Sequence, residues 1–224
     1  MAEPALLIRD LVFKYRAAES FELRLGSLDL AAGEQVLLAG GSGTGKSTLL
    51  QLIAGLMDPV GGSVQIAGRD IHSMHGASRD RYRGTHVGMI FQTFNLLQGF
   101  TALENVLAAL MFSELPSGQH RERAESLLRS LDMQRMHARV EELSVGQQQR
   151  VAVARAVACK PSLVLADEPT ASLDPENAGA AIDLILKTCS DNGAALLCTS
   201  HDPTMRQKFT RVEMLSELIA GGAR

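Results

Sequence analysis

Apolar and polar residues alternate along this chain in two rhythms. From Ala5 to Tyr15, and again from Phe21 to Leu30, the rhythm is near two: Phe21, Leu23, Leu25, Leu28 and Leu30 are separated by Glu22, Arg24 and Asp29. Alternation puts successive side chains on opposite faces, so both segments are predicted as antiparallel strands with one wet face. Five shorter runs read as strands as well: Glu34 to Ala39, Ser63 to Ile66 after the Asp58-Pro59-Val60-Gly61-Gly62 turn, Val87 to Phe91, Leu163 to Ala166, and Ala194 to Thr199. The last three are almost wholly apolar, as strands buried on both faces require. From Thr101 to Phe112 and from Gln119 to Leu131 apolar residues recur at helical spacing, with Pro116 and Gly118 between them. A further helical stretch runs from beyond Gly146 to about Cys159, and Pro175 to Thr188 forms a helix that opens on proline. Strands alternating with helices predict an α/β fold around a parallel, doubly covered sheet.

Composition narrows this picture. With 224 residues, 46% of them hydrophobic, the chain is one large domain or one core with an inserted lobe. A formal charge of -3 argues against a nucleic-acid surface, so Arg79, Arg81 and Arg83 read as a solvated loop. Met111, Met133 and Met136 read as core filler, and His72, His75 and His137 as surface residues. Cys159, Cys189 and Cys198 are odd in number and lack paired spacing, which suits a reducing cytoplasm and indicates neither a disulfide framework nor a zinc site. The beginning, MAEPALLIRD, carries an acid and a proline where a secretory signal carries basic residues before an apolar core. Val106 to Phe112 falls far short of the about 20 residues that cross a bilayer, so a membrane connection is expected through a partner. The short stretch Arg211 to Arg224 argues against an appended regulatory domain.

Residues 40 to 48 read GGSGTGKST between an apolar run and a stretch, Leu49 to Ile53, that can start a helix. They fit Gly-x-x-x-x-Gly-Lys-Ser/Thr, a loop that wraps nucleotide phosphates. Gly41, Gly43 and Gly45 let the backbone aim its N–H groups inward, Lys46 adds a point charge, and Ser47 offers a hydroxyl to magnesium. The following helix points the positive end of its dipole at the anion. Gly40, Ser42, Thr44 and Thr48 complete the loop. A glycine-rich loop also precedes helices that bind nothing, but here strand, loop and helix come in the required order.

LVLADEP, Leu163 to Pro169, sets two carboxylates directly after an apolar strand, at the sheet edge where ligands of α/β folds bind. Asp167 suits magnesium coordination through water, and Glu168 is the candidate base for an attacking water. Paired acids there can also merely cap the next helix.

Between these two motifs lies ELSVGQQQRVAVARA, Glu142 to Ala156, followed closely by LVLADEPTASLD. Taken together, the separated motifs resemble the ATP-binding-cassette family over nearly the whole chain and in its order. The resemblance implies a P-loop NTPase core with a mostly parallel sheet, an N-terminal antiparallel β subdomain and an inserted α-helical subdomain. The core and its β lobe take about residues 1–91 and 161–224, and the helical lobe about 92–160. Ser144, Gly146 and Gln147 match the family signature, which closes over the phosphate loop of another subunit, so a head-to-tail homodimer holding two ATP molecules is implied. Gln92 matches the glutamine loop, expected near magnesium or the lytic water. His201 matches the switch histidine that contacts the terminal phosphate. Ser172, Leu173 and Asp174 match a loop crossing the dimer interface. Tyr15 matches the aromatic that stacks on adenine, although an aromatic at a strand end also serves packing.

The chain departs from the family pattern at Val145, where glycine is usual. A β-branched residue resists positive φ and crowds a backbone approach, which weakens closure over the γ-phosphate if that position must stay open; Gly146 is retained, so only a modest effect is expected. Ile90 to Val106, IFQTFNLLQGFTALENV, resembles the subgroup serving lipoprotein release, macrolide-type export and cell-division complexes; polar amino-acid importers carry a comparable stretch. The resemblance implies an ATPase attached to the inner face of the cell membrane through a permease. Two other classes stand beside it: a mechanical switch that uses the same ATPase to activate a membrane partner, and a soluble member acting in DNA repair or translation. The soluble class usually carries a long coiled-coil insertion, zinc cysteines or a second cassette, and this sequence carries none of them.

Overall fold

The structure is a computed structural model that describes residues 3–15 and 21–220; the outermost positions of the MAEPALLIRD and Arg211 to Arg224 readings lie outside the described residues. Strands β1 (Leu6–Lys14) and β2 (Glu22–Leu30) pair antiparallel, with Leu6 opposite Leu30 and Phe13 opposite Leu23. The alternation seen in the sequence becomes a buried row and an exposed row. β3 (Gln35–Ala39) leads into the glycine loop and α1 (Lys46–Ile53), and β4 (Gly61–Ile66) and β5 (Arg69–Asp70) complete a four-stranded sheet in the order β2-β1-β4-β5.

The next element corrects the sequence reading. Arg79, Arg81 and Arg83 lie on α2 (Gly76–His86), a helix that buries only Tyr82 and so leaves almost no apolar period to detect. Arg81 is exposed, as a solvated residue should be, but the other two arginines are bound locally. Arg79 pairs with Asp58, and Arg83 donates to Asp80 Oδ1 at 2.6 Å and to the Gly55 carbonyl at 3.3 Å. His72 is likewise no free surface residue: its side chain is 10% exposed, with Nε2 donating to the Leu52 carbonyl at 2.9 Å.

β6 (Val87–Ile90) precedes three helices, α3 (Ala102–Leu110), α4 (Ser117–Ser130) and α5 (Val145–Val157). A reciprocal cap between Thr101 and Glu104 starts α3. Of the methionines expected in the core, Met133 is buried and Met136 packs at its edge, but Met111 is 79% exposed because α3 ends at Leu110 and releases it. The chain closes with β7 (Leu163–Asp167), α6 (Pro175–Asp191), β8 (Ala195–Ser200), β9 (Arg211–Met214) and α7 (Leu215–Ala220).

The second sheet has the order β6-β7-β8-β3-β9 with every pairing parallel. Its strands feed two cores by period two: Val164 and Ala166 of β7 face the helices α3 to α6, whereas Leu163 and Leu165 face α1 and the antiparallel sheet. Burial of each such leucine stabilises the fold by roughly 1.5–3 kcal/mol. Because β7, β8 and β3 are parallel neighbours, their carboxyl ends meet at one edge, with Asp167 opposite Thr199 and Ala39 opposite Ser200. The expected doubly covered α/β sheet is therefore present, and it fixes where the chemistry lies.

Candidate active site

Three chain segments leave this edge side by side: the loop 40–45 after β3, Glu168 after β7, and His201 after β8. The loop turns into α1 through Gly45, whose φ of 102° belongs to the left-handed region and whose Cβ, were there one, would stand 2.8 Å from the Phe21 ring. Only glycine meets both conditions. Gly43 also has positive φ, 74°, and Thr44 braces the loop by donating to the Gly41 carbonyl at 2.9 Å.

Lys46, the first residue of α1, is 6% exposed, and its ammonium donates to the carbonyls of Gly40 and Gly41, both at 2.9 Å. It also lies 3.2 Å from Glu168 Oε1. The other oxygen of that carboxylate, Oε2, is 2.8 Å from His201 Nδ1 and accepts the His201 backbone N–H at 3.3 Å. Glu168 is thus held between a cation and an imidazole, on a backbone with φ of 45° that non-glycine residues seldom adopt. Asp167 accepts from Ser47 Oγ at 3.1 Å and from Thr199 Oγ1 at 2.9 Å.

Lys46, Glu168 and His201 open onto a cleft of about 500 Å³ that Tyr15, Ser42, Gly43, Ser47, Thr48 and Gln92 also line. That volume falls within the usual range for small-molecule sites, about 300–1,000 Å³. The Tyr15 hydroxyl is 2.8 Å from Thr48 Oγ1, and its ring packs edge-on against Phe13 at 4.8 Å and tilted against Phe21 at 5.6 Å. It remains 39% exposed, so packing and an open face coexist. Gln92 is exposed, and its carbonyl accepts from Ser172 Oγ at 3.4 Å.

The signature residues are elsewhere. Ser144 caps α5, accepting the Gln147 N–H at 3.3 Å, while Gln147 Oε1 accepts the Ser144 N–H at 3.1 Å. The glutamine expected to meet a ligand is therefore engaged in a capping box. Ser144, Val145, Gly146, Ser172, Leu173 and Asp174 line a second pocket, separate from the Lys46 cleft. Val145 is the first helical residue, lies outside the positive-φ set and is 48% exposed. Its branched side chain therefore meets no left-handed backbone here.

Two contributors escaped the sequence reading. Thr199 is fully buried beneath Asp167; the only signal was a hydroxyl in an otherwise apolar run. Arg155 donates to the carbonyls of Phe94 at 2.7 Å and Asn95 at 2.6 Å, two residues with positive φ just beyond Gln92. The cysteines offer no competing nucleophile. Burial pushes Cys159 up to about 11 and Cys189 up to about 12, and burial reinforced by the nearby Glu168 and Asp167 charges raises Cys198 too.

The donor set fits magnesium. Ser47 and Asp167 present hard oxygens, and among the described residues no group of three His, Cys, Asp or Glu is gathered to hold a metal by itself. Magnesium is usually bound by one or two carboxylates together with substrate phosphates and water.

The sequence profile described as ABC transporter matches residues 23–171. The lipoprotein-releasing system ATP-binding protein LolD of Pseudomonas fluorescens is 40% identical over 221 residues, covering 97% of both chains. The protein of that name in Psychrobacter arcticus is 44% identical over 182 residues, 80% of each. A solved dimer of an ATP-binding cassette in a post-hydrolysis state with ADP and Pi superposes with a TM-score of 0.78 at 31% identity, covering 93% of each chain.

Proposed function

Because this chain belongs to the ABC transporter family, we propose that it is the ATP-hydrolysing subunit that energises a membrane permease of the lipoprotein-releasing kind, acting as a head-to-tail homodimer. Membership makes it an ABC-type ATPase; the permease, the cargo class and the residue roles are the proposal.

One observation carries the residue assignment: the unbroken contact chain from Lys46 through Glu168 to His201, beside the Ser47–Asp167 pair, on one cleft. The loop amides and Lys46 bind the phosphates, where charge accumulates during phosphoryl transfer. A magnesium ion held by Ser47 and Asp167, with Gln92 nearby, would supply further neutralisation of that charge. Glu168 accepts the proton of the attacking water at its carboxylate, and His201 fixes that carboxylate through Nδ1 and positions the water. Tyr15 offers its open ring face to the adenine.

The separation of the two pockets supports the dimer. Within one chain Ser144, Gly146 and Asp174 do not line the Lys46 cleft, which fits a second copy covering the phosphates; the solved relative with ADP and Pi is a dimer. Closure excludes bulk water, hydrolysis reopens the pair, and that motion is the output.

A permease partner is supported by an apolar groove containing Leu56, Met89, Phe91 and Phe112, next to Gln92. Among the described residues no helix is long and apolar enough to cross a membrane, so attachment to the inner face of the membrane would run through that groove. The relatives' printed role favours lipoprotein release; the mechanical-switch reading shares every residue above. Purification in detergent tests the partner: an integral membrane protein should accompany the chain, and its consistent absence overturns the proposal. Cargo movement by the reconstituted complex separates release or transport from switching.

A further inference from the structure

Thr199 lies on β8 directly opposite Asp167 of β7, with none of its surface exposed. The run before it, Ala195 to Cys198, is apolar, so a hydroxyl here costs free energy unless both its roles are used. A hydroxyl has one proton to give and lone pairs to receive. The partners decide the directions: a carboxylate only accepts and a backbone N–H only donates. Thr199 Oγ1 therefore donates to Asp167 Oδ1 at 2.9 Å and accepts the Glu168 N–H at 3.1 Å. The Ala166 carbonyl, at 3.5 Å, is a longer alternative acceptor.

One buried atom thus grips consecutive residues at chemically different points, the side chain of the first and the main chain of the second. The peptide between Asp167 and Glu168 has little freedom left. That matters because Glu168 holds φ of 45°, a conformation that persists only when its surroundings enforce it. Its carboxylate reaches both Lys46 and His201 from that backbone.

We propose that Thr199 is a positioning residue for ATP hydrolysis, its single hydroxyl orienting the Asp167 carboxylate toward Ser47 and fixing the Glu168 backbone that aims the base. The inference rests on the roles given above to Asp167 and Glu168. It adds a residue that touches neither nucleotide nor water.

The test compares full-length wild type with Thr199→Val, which keeps the shape and deletes the hydroxyl, and Thr199→Ser, which keeps the hydroxyl. Removing such an outer partner of a metal-site carboxylate typically costs 10–100-fold. Thr199→Val should lower kcat by about tenfold and raise the magnesium concentration for half-maximal activity by a similar factor, with KM for ATP within about twofold. Calorimetry of ADP binding across a magnesium titration gives a readout independent of turnover, and there the magnesium-dependent gain in affinity should shrink. Thr199→Ser should restore both within about threefold of wild type, as expected when the hydroxyl is the working group. If Thr199→Val fails to fold, Thr199→Ala must show the same pattern. Wild-type kcat and magnesium dependence in the hydroxyl-less variant overturns the proposal, as does a serine variant as impaired as the valine one. Glu168→Gln run alongside separates the two readings. Retained hydrolysis there sinks Glu168 as base, whereas lost hydrolysis with an unaffected Thr199→Val leaves the base standing and removes the positioning role.

Discussion

The Lys46 ammonium stands 3.2 Å from Glu168 Oε1, and both groups are largely withdrawn from solvent, their side chains 6% and 13% exposed. The residue expected to bind phosphate and the residue expected to activate water are therefore in direct electrostatic contact, and a change at one alters the field at the other. Glu168→Gln removes the base and the negative partner together. Turnover should fall by about 10² to 10⁴, the range for a lost general base, while ATP is retained and the protein accumulates as a dimer by size-exclusion chromatography in Mg-ATP. Unchanged steady-state hydrolysis removes Glu168 from the role.

Lys46→Ala acts on binding instead. In the wild type, nucleotide at 100 times its Kd adds about 2.7 kcal/mol to stability. The variant should lose most of that gain, read as a vanishing shift in Tm on adding ATP.

Val145→Gly tests the departure in the signature. Since Val145 is helical, exposed and outside the positive-φ set, a glycine there relieves no strain. Hydrolysis should change by less than about tenfold, roughly 1.4 kcal/mol. A change of several hundredfold in either direction contradicts this view of the site.

Gly88→Ala addresses packing. A Cβ at Gly88 would lie 2.1 Å from the Ala156 carbonyl oxygen, so β6 and α5 touch backbone to backbone. Overpacking of this kind costs about 1–3 kcal/mol or more, and a lower denaturant midpoint at unchanged slope checks it.

His86 supplies a pH dependence. Burial holds its pKa below the ordinary 6.5, with Arg69 acting in the same direction and Glu114 opposing. As pH falls below 6.5 the unfolded chain takes up a proton that the native imidazole, tilted against the Tyr82 ring at 4.2 Å, still refuses. The stabilisation is complete above pH 6.5 and disappears as pH drops through the lowered native value. Denaturant midpoints between pH 7.5 and 5.5 should decline less for His86→Gln than for the wild type.

Much of this was legible in the sequence wherever one force dominated. β7 and β8 announce themselves because strands buried on both faces must be apolar throughout, and the glycine loop because its backbone excludes side chains. β9 and α2 were silent for a common reason. Every residue of β9 is only half-buried, and α2 buries a single tyrosine, so neither carries a period. At the site, the sequence named Asp167, Glu168 and His201 but not the hydroxyl beneath them. Thr199 reads as an ordinary strand former, and its value comes from register with β7, which sequence order does not reveal. Gln147 adds a role the motif did not disclose: its Oε1 accepts the Ser144 N–H, so the same side chain also completes a capping box.

The seam between Gly88 and Ala156 has a mechanical meaning. Side chains interposed between two elements act as a soft gasket, since their rotamers can yield; here main chain bears on main chain and nothing can yield. β6 runs out toward Gln92, and α5 begins at Ser144. A displacement of either element therefore meets no side-chain rotamer at this seam that could absorb it.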